Sequence, residues 1–252
     1  MVCARGHAFD IARSGYINLL QPADRHSRHA GDSKEAVQSR ARLAAAGVGD
    51  GVLAQVADRI TTFLPGDHGI VVDLGCGSGE ALDAVSRRRE ITGIGIDLSS
   101  HAADYAARRF PALTWIVANA DRRLPVLTGS ADLIMSLNGR RNPEECARAL
   151  KAEGYLLVSV PGPDDLVELR ERVQGTSIER DRGTSVLADH SGSFELIEKM
   201  SLRQRQGLAR ESLLDLLRGS YRGRRTSQSA AVQGLDGLEV TLAQEVMVFK
   251  VR

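Results

Sequence analysis

From residue 69 onward, short apolar runs alternate with segments whose apolar residues recur at helical spacing. GIVVDLG (69–75) is a β-branched run, and EALDAVSRRR (80–89) behind it carries the three-to-four-residue period of an amphipathic helix. ITGIGID (91–97) and SSHAADYAARRF (99–110) repeat the pair, followed by LTWIVAN (113–119), a loop, and ADLIMSL (131–137). NPEECARAL (142–150) reads as a helix, GYLLVSV (154–160) as a strand and DDLVELRERV (164–173) as a helix. FELIEKMSLRQ (194–204), ESLLDLLRG (211–219) and EVMVFKV (245–251) then read as strand, helix and strand. Two helices come before the alternation. Asp32 and Glu35 have capping-box spacing and open an Ala-rich helix ending near Gly47. GVLAQVADRITTFL (51–64) follows and stops at Pro65-Gly66. The pattern predicts an α/β fold with a doubly wound, mostly parallel, seven-stranded sheet, preceded by a small irregular N-terminal segment at 1–31.

Totals narrow this only slightly. A chain of 252 residues can bury one large core, with or without a small second domain. No apolar run approaches the roughly 20 residues of a membrane span, and no signal-like stretch opens the chain, which predicts a cytoplasmic protein without membrane contact. Cys3, Cys76 and Cys146 are too few and too far apart for a disulfide framework. Net charge is +1, so overall charge does not mark the molecule as a polyanion binder. The charge is nevertheless uneven: seven arginines face two acids between Ser201 and Arg225, and RHSRH occupies 25–29.

VVDLGCGSGE (71–80) carries the most chemistry. Glycine is needed where backbone takes left-handed dihedrals or a ligand approaches the main chain, and the helix start beyond offers free N–H groups. A Gly-rich turn alone fits a dinucleotide as well. Asp73 at the strand end repels a pyrophosphate but accepts an ammonium group. Asp97, ending the next strand, can accept both hydroxyls of a ribose and suits either cofactor. Asn119 and Asp121, after the third strand, can read an adenine amino group. Trp115 is predicted in the core, Cys76 as a small apolar filler in the glycine loop and Cys146 on a helix face.

Together VVDLGCGSG, the second-strand acid, ANADRRLP, ADLIMSL and AEGYLLVSVPG resemble the S-adenosylmethionine site of class I methyltransferases, over residues 69–162. That resemblance implies a Rossmann-like fold. It also implies cofactor contacts from Asp73, Gly75, Cys76, Gly77, Ser78, Gly79, Asp97, Leu98, Asn119, Ala120 and Asn138. The flanks CARGHAFDIARSGYINLL, GDSKEAVQSRARLAAAG and LNGRRNPEECARALKAEGYLLVSVPGPDDLVELR resemble the bacterial 23S rRNA guanine-N1 methyltransferases, a family that includes macrolide-resistance enzymes. This implies a zinc-module remnant at 1–31 and a methyltransferase domain at 32–252, divided into helices at 32–66, a cofactor core at 67–175 and a C-terminal part at 176–252. The family's module carries Cys-x-x-Cys and then Cys-x-x-x-His. Cys3 and His7 match the second pair and the first is missing, so either the module has been lost or the protein begins upstream. Two ligands do not close a four-coordinate zinc site, and no metal is expected. Gly49 stands where the family tends to place Tyr, Asp165 where it places His, and RGSYRGRR (218–225) where it has a Met-Thr-Pro and Trp signature.

On that reading the partner is 23S rRNA or the 50S subunit, with Arg25, Arg28, Arg140, Arg141, Arg222, Arg224 and Arg225 pairing with phosphates. Asn138 is placed to touch the base, but an amide is no proton acceptor, and Asp165 is the alternative. Two other functions stay open. Near-neutral charge and the zinc half-site favour a small-molecule (natural-product) methyltransferase. The replaced contacts at Gly49 and Asp165 favour a non-catalytic protein that binds S-adenosylmethionine or RNA. A homodimer is left open.

Overall fold

Hydrogen-bond pairing between the apolar runs fixes their order in space. The computed structural model describes residues 6, 9–20, 31–175, 181–219 and 231–252. Its strands are β1 (Ile17–Asn18), β2 (Gly69–Leu74), β3 (Ile91–Asp97), β4 (Thr114–Val117), β5 (Ala131–Leu137), β6 (Leu150–Pro161), β7 (Phe194–Ala209) and β8 (Gly237–Val251). They form one sheet in the order β1-β4-β3-β2-β5-β6-β8-β7. Every pair from β1 to β6 is parallel; β8 runs antiparallel to both β6 and β7. The chain winds outward from β2 through β3 and β4, then crosses to β5 on the other side. The carboxyl ends of β2 and β5 are therefore a topological switch point, where open α/β sheets bind ligands.

The helices are α1 (Lys34–Ala45), α2 (Asp50–Thr62), α3 (Glu80–Ser86), α4 (Ser100–Arg109), α5 (Pro143–Ala149), α6 (Val167–Gln174), α7 (Gly183–His190) and α8 (Arg210–Gly219). They cover both faces of the central strands, which is why β2 and β5 read as unbroken apolar runs. On one face Val72, Leu74, Ile134 and Val158 pack with Cys146 of α5 and Val186 of α7. On the other, Val71, Leu133 and Met135 pack with Ile60 of α2, Leu82 of α3 and Trp115. Trp115 is buried as expected, and its Nε1–H donates to Phe110 O at 3.0 Å.

Four expectations need correction. The sheet has eight strands among the described residues, because Ile17 and Asn18 pair with Ile116 and Val117 at its edge; two residues are too few to show a period. The first helix is capped by Ser33, whose Oγ accepts from Ala36 N–H at 3.2 Å, while Asp32 pairs with Arg40. Helix α7 was not expected, its eight residues offering only a short apolar stripe. Finally, β7 and β8 span 16 and 15 residues, well past the apolar cores that announced them. Their far end leaves the layered core and, with α6 and α8, builds a third cluster around Leu169, Leu208, Leu213, Leu217 and Val240. Arg42 ties α8 to α1, its Nε and Nη2 donating to the two oxygens of Asp215 at 2.8 and 2.6 Å.

Candidate active site

After β2 the chain turns through Gly75, Gly77 and Gly79 at φ of 75°, 54° and 94°, all in the left-handed region. The three serve different ends. A Cβ on Gly79 would lie 2.7 Å from Cη2 of Trp115, so this glycine permits packing. A Cβ on Gly75 would lie 3.0 Å from Cα of Gly139, where the loops after β2 and β5 cross. Gly77 faces open space, with nothing within 4 Å of the Cβ it lacks. The loop is tied to β3: Gly75 and Cys76 N–H donate to Ile96 O at 2.8 and 3.2 Å. Asp97 Oδ2 accepts from Gly77 N–H at 2.9 Å and its Oδ1 from Ser99 N–H at 2.8 Å.

Beneath the loop, Asp73 is 1 % exposed, and neither of its oxygens meets a hydrogen-bond donor among the described residues. Burial, reinforced by the charge of Asp97, pushes its pKa up to about 8. A buried acid without a partner is completed by a cation or an ordered water. Cys76 is buried, and burial raises its thiol pKa well above the ordinary value.

A cavity of about 860 Å³ opens above the switch point. That volume lies near the upper end of small-molecule sites, which run from about 300 to 1,000 Å³. One half is walled by Gly77, Ser78, Asp97, Leu98, Asn119 and Ala120. Of the cofactor residues expected from sequence, Asp73 and Gly79 lie behind this wall and the other nine line the cavity. Asn119 Oδ1 accepts from Asp121 N–H at 2.9 Å, and Asp121 itself turns to Arg140 Nη1 at 3.0 Å. The other half is apolar, built from Leu43 of α1, Val48, Val52 of α2, Leu216 of α8 and Leu242 of β8. Gly49 caps α2 here at φ 81°, and its N–H donates to Gln206 Oε1 at 3.1 Å.

Asn138, Ser159, Asp165 and Gln244 also line the cavity. Asn138 takes a left-handed φ of 60°, which asparagine tolerates better than most residues, and donates from its N–H to Ser159 O at 2.9 Å. Asp165 Oδ1 accepts from Ala243 N–H at 2.9 Å. Burial raises its pKa to about 6, against the pull of that N–H. Strand β8 also fixes the turn carrying Asp165: Leu166 N–H donates to Thr241 O at 2.7 Å, and Glu168 accepts from Thr241 N–H and Oγ1–H.

Beside this cavity a smaller cleft of about 500 Å³ contains Arg140, Arg141, Asp189 and His190. Arg141 Nε donates to His190 Nε2 at 3.2 Å and its Nη1 to Gly139 O at 3.1 Å. Burial lowers the Arg141 pKa. Arg25, Arg28, Arg222, Arg224 and Arg225 lie outside the described residues, as do Cys3 and His7. Among the described residues no cluster of His, Cys, Asp or Glu is disposed to hold a metal ion.

Ser159, Gln244 and the apolar wall were not singled out from sequence. Their only signal is alternation in strands whose neighbours must be known first.

A sheet of this order, with an antiparallel strand beside β6, an Asp-x-Gly-x-Gly-x-Gly loop at its switch point and an acid after the next strand, defines a class I S-adenosylmethionine-dependent methyltransferase. Comparison with known proteins agrees. Residues 71–154 match the family described as a methyltransferase domain, and residues 1–28 match a zinc-ribbon family described as "RlmA, N-terminal". The chain is 33% identical over 218 residues to the 23S rRNA (guanine(748)-N(1))-methyltransferase of Streptomyces fradiae, covering 84% of this chain and 75% of that one. A Micromonospora griseorubida relative, provisionally named a 23S rRNA (guanine-N(1)-)-methyltransferase, is 31% identical over 85% of this chain and 77% of its own. Among solved structures, the YcgJ protein of Bacillus subtilis shares the fold at a TM-score of 0.54 and 16% identity, over 80% of this chain and 98% of that one. The chain belongs to the family of 23S rRNA (guanine-N1)-methyltransferases.

Proposed function

We propose that this methyltransferase modifies N1 of a guanine in 23S rRNA, with Asp165 as the group that takes the N1 proton. The observation that carries the reading is a half-buried carboxylate of pKa about 6 that lines the cavity together with the glycine loop and the apolar residues of α1, α8 and β8. A general base works best when its pKa lies near the operating pH and it sits within reach of the proton. The Streptomyces fradiae relative, a 23S rRNA (guanine(748)-N(1))-methyltransferase, supports the same substrate.

The site's residues fit the cofactor. Gly77 leaves main chain open to it, Asp97 supplies acceptors for hydroxyls, Asn119 and Ala120 line the adenine side, and unpartnered Asp73 favours a cation nearby. When bound, S-adenosylmethionine supplies an electrophilic methyl group. Asn138 holds the base in the plane of attack, since positioning supplies much of the rate in such transfers. The base reaches the cavity only by leaving its stack, which costs least in a loop. Arg140, Arg141 and the arginines outside the described residues contact phosphates. Residues 1–31 act as an RNA-recognition segment, a role supported by the match over 1–28.

The test is transfer of labelled methyl to 23S rRNA, naked and in 50S subunits, followed by reverse transcription. Methylation at N1 blocks pairing, so the expected product halts the polymerase one nucleotide before the site. Protein that binds S-adenosylhomocysteine yet leaves both RNAs unlabelled would overturn the reading.

A further inference from the structure

We infer that Gln244 reads O6 of the target guanine, held in the one amide orientation that can do so by Ser159. The inference rests on the guanine-N1 reading above and adds the group that selects the base. Ser159 lies on β6 with 2 % of its surface exposed, and its Oγ–H donates to Gln244 Oε1 at 2.7 Å across the β6–β8 pair. The Ser159 carbonyl accepts from Asn138 N–H at 2.9 Å. Flipping the Gln244 amide would remove the acceptor that the buried serine hydroxyl has in the structure, and an unmet buried donor is more costly than a hydrogen bond is favourable. The amide oxygen is therefore turned to Ser159, and the NH2 end makes no hydrogen bond among the described residues while its residue lines the cavity.

Asp165 is anchored one residue away on the same strand, through Ala243 N–H. The cavity lining thus includes an amide turned to donate and a carboxylate that accepts, both held through neighbouring residues of β8. Guanine offers the complement along one edge: O6 accepts, and N1–H and the 2-amino group donate. Adenine reverses that order, with a donating 6-amino group beside an accepting N1. It would set donor against donor at Gln244. A site built to hydrogen-bond one edge rejects the mismatched edge because its own buried groups then go unpaired.

The experiment pairs a change in the protein with a change in the base. Reverse transcription first locates the modified nucleotide. A synthetic hairpin containing it is then made with guanosine, 6-thioguanosine or inosine at that position, and kcat/KM is measured for the wild type, Q244A and Q244M. Sulfur accepts hydrogen bonds poorly, so thio-substitution is expected to lower wild-type kcat/KM by about tenfold, which corresponds to the loss of one modest hydrogen bond. In Q244A and Q244M that sulfur penalty should all but vanish, while the inosine penalty, which reports the 2-amino group, stays as in the wild type. Q244M keeps the side-chain volume and guards against a folding defect in Q244A. Affinity for S-adenosylhomocysteine should not change in either. S159A should shrink the sulfur penalty and S159T restore it, a pattern that a packing role for Ser159 does not produce. Equal sulfur penalties in wild type and variants would overturn the role of Gln244 while leaving guanine-N1 methylation intact. A wild-type enzyme inactive on the guanosine hairpin would instead overturn the guanine reading itself.

Discussion

Asp73 makes the ligand-free protein sensitive to pH in an unusual direction. An acid of ordinary pKa 3.8 in the unfolded chain is held near 8 in the folded one, chiefly by burial. Between those values the native state binds the extra proton, so this residue's contribution to stability falls as pH rises from about 4 to about 8. The difference in unfolding free energy between wild type and D73N, measured by urea titration across that range, should shift in favour of D73N as pH rises. Cofactor binding should release up to one proton at neutral pH, read by calorimetry in buffers of unlike ionisation enthalpy. Asp165, as the proposed base, has the opposite functional sign: it must be ionised to accept a proton. Wild-type kcat/KM should rise with pH through about 6 to a plateau. D165N should lose that inflexion and fall by about 10²–10⁴-fold, the usual worth of a positioned acid–base group. Residues of the glycine loop were legible in the sequence because one turn needs them all within ten positions. Ser159 and Gln244 were not, being 85 residues apart and joined only by the register of β6 on β8.

At the scale of elements, apolar runs covered on both faces announced themselves and amphipathic edges did not. β2 and β5 were readable because VVDL and ADLIM are buried throughout. Most of β7 alternates between exposed and half-buried residues, so its second half looked like polar connection. The glycines of β3 carry a constraint the period does not reveal. A Cβ on Gly95 would lie 2.3 Å from the ring of Trp115 and 3.0 Å from Cys76 Sγ. G95A must therefore displace the buried indole that backs the glycine loop. It is expected to cost about 1–3 kcal/mol, the usual range for overpacking a filled core, measured by chemical denaturation. Affinity for S-adenosylhomocysteine should weaken with it, since Cys76 belongs to both contacts.

For the whole molecule, the two halves of the cavity have separate origins. The half walled by the glycine loop is drawn from loops within residues 75–139, whereas the apolar half needs α1, α8 and β8 brought together from both ends of the described chain. The Arg42–Asp215 pair closes that assembly from outside. D215N should lower the melting temperature and raise KM for RNA while leaving S-adenosylhomocysteine affinity unchanged, a split that calorimetry and steady-state kinetics resolve. Residues of the first half lie in loops close together in sequence and could be named there, whereas those of the second are joined only by long-range pairing.

Strand β8, latest in sequence of those described, is an interior strand of the sheet, bonded to β6 on one side and β7 on the other. Folding must therefore hold a gap open. Until residues 237–251 arrive, β6 presents an unpaired edge, and such edges template aggregation. Pairings this distant in sequence also form slowly, because loop closure precedes any reward in contacts. Deleting 237–251 should give insoluble chain rather than a trimmed cofactor-binding fragment, as sedimentation after expression would reveal. Refolding of the intact chain should likewise show cofactor binding and the native sheet appearing together, with neither running ahead of the other.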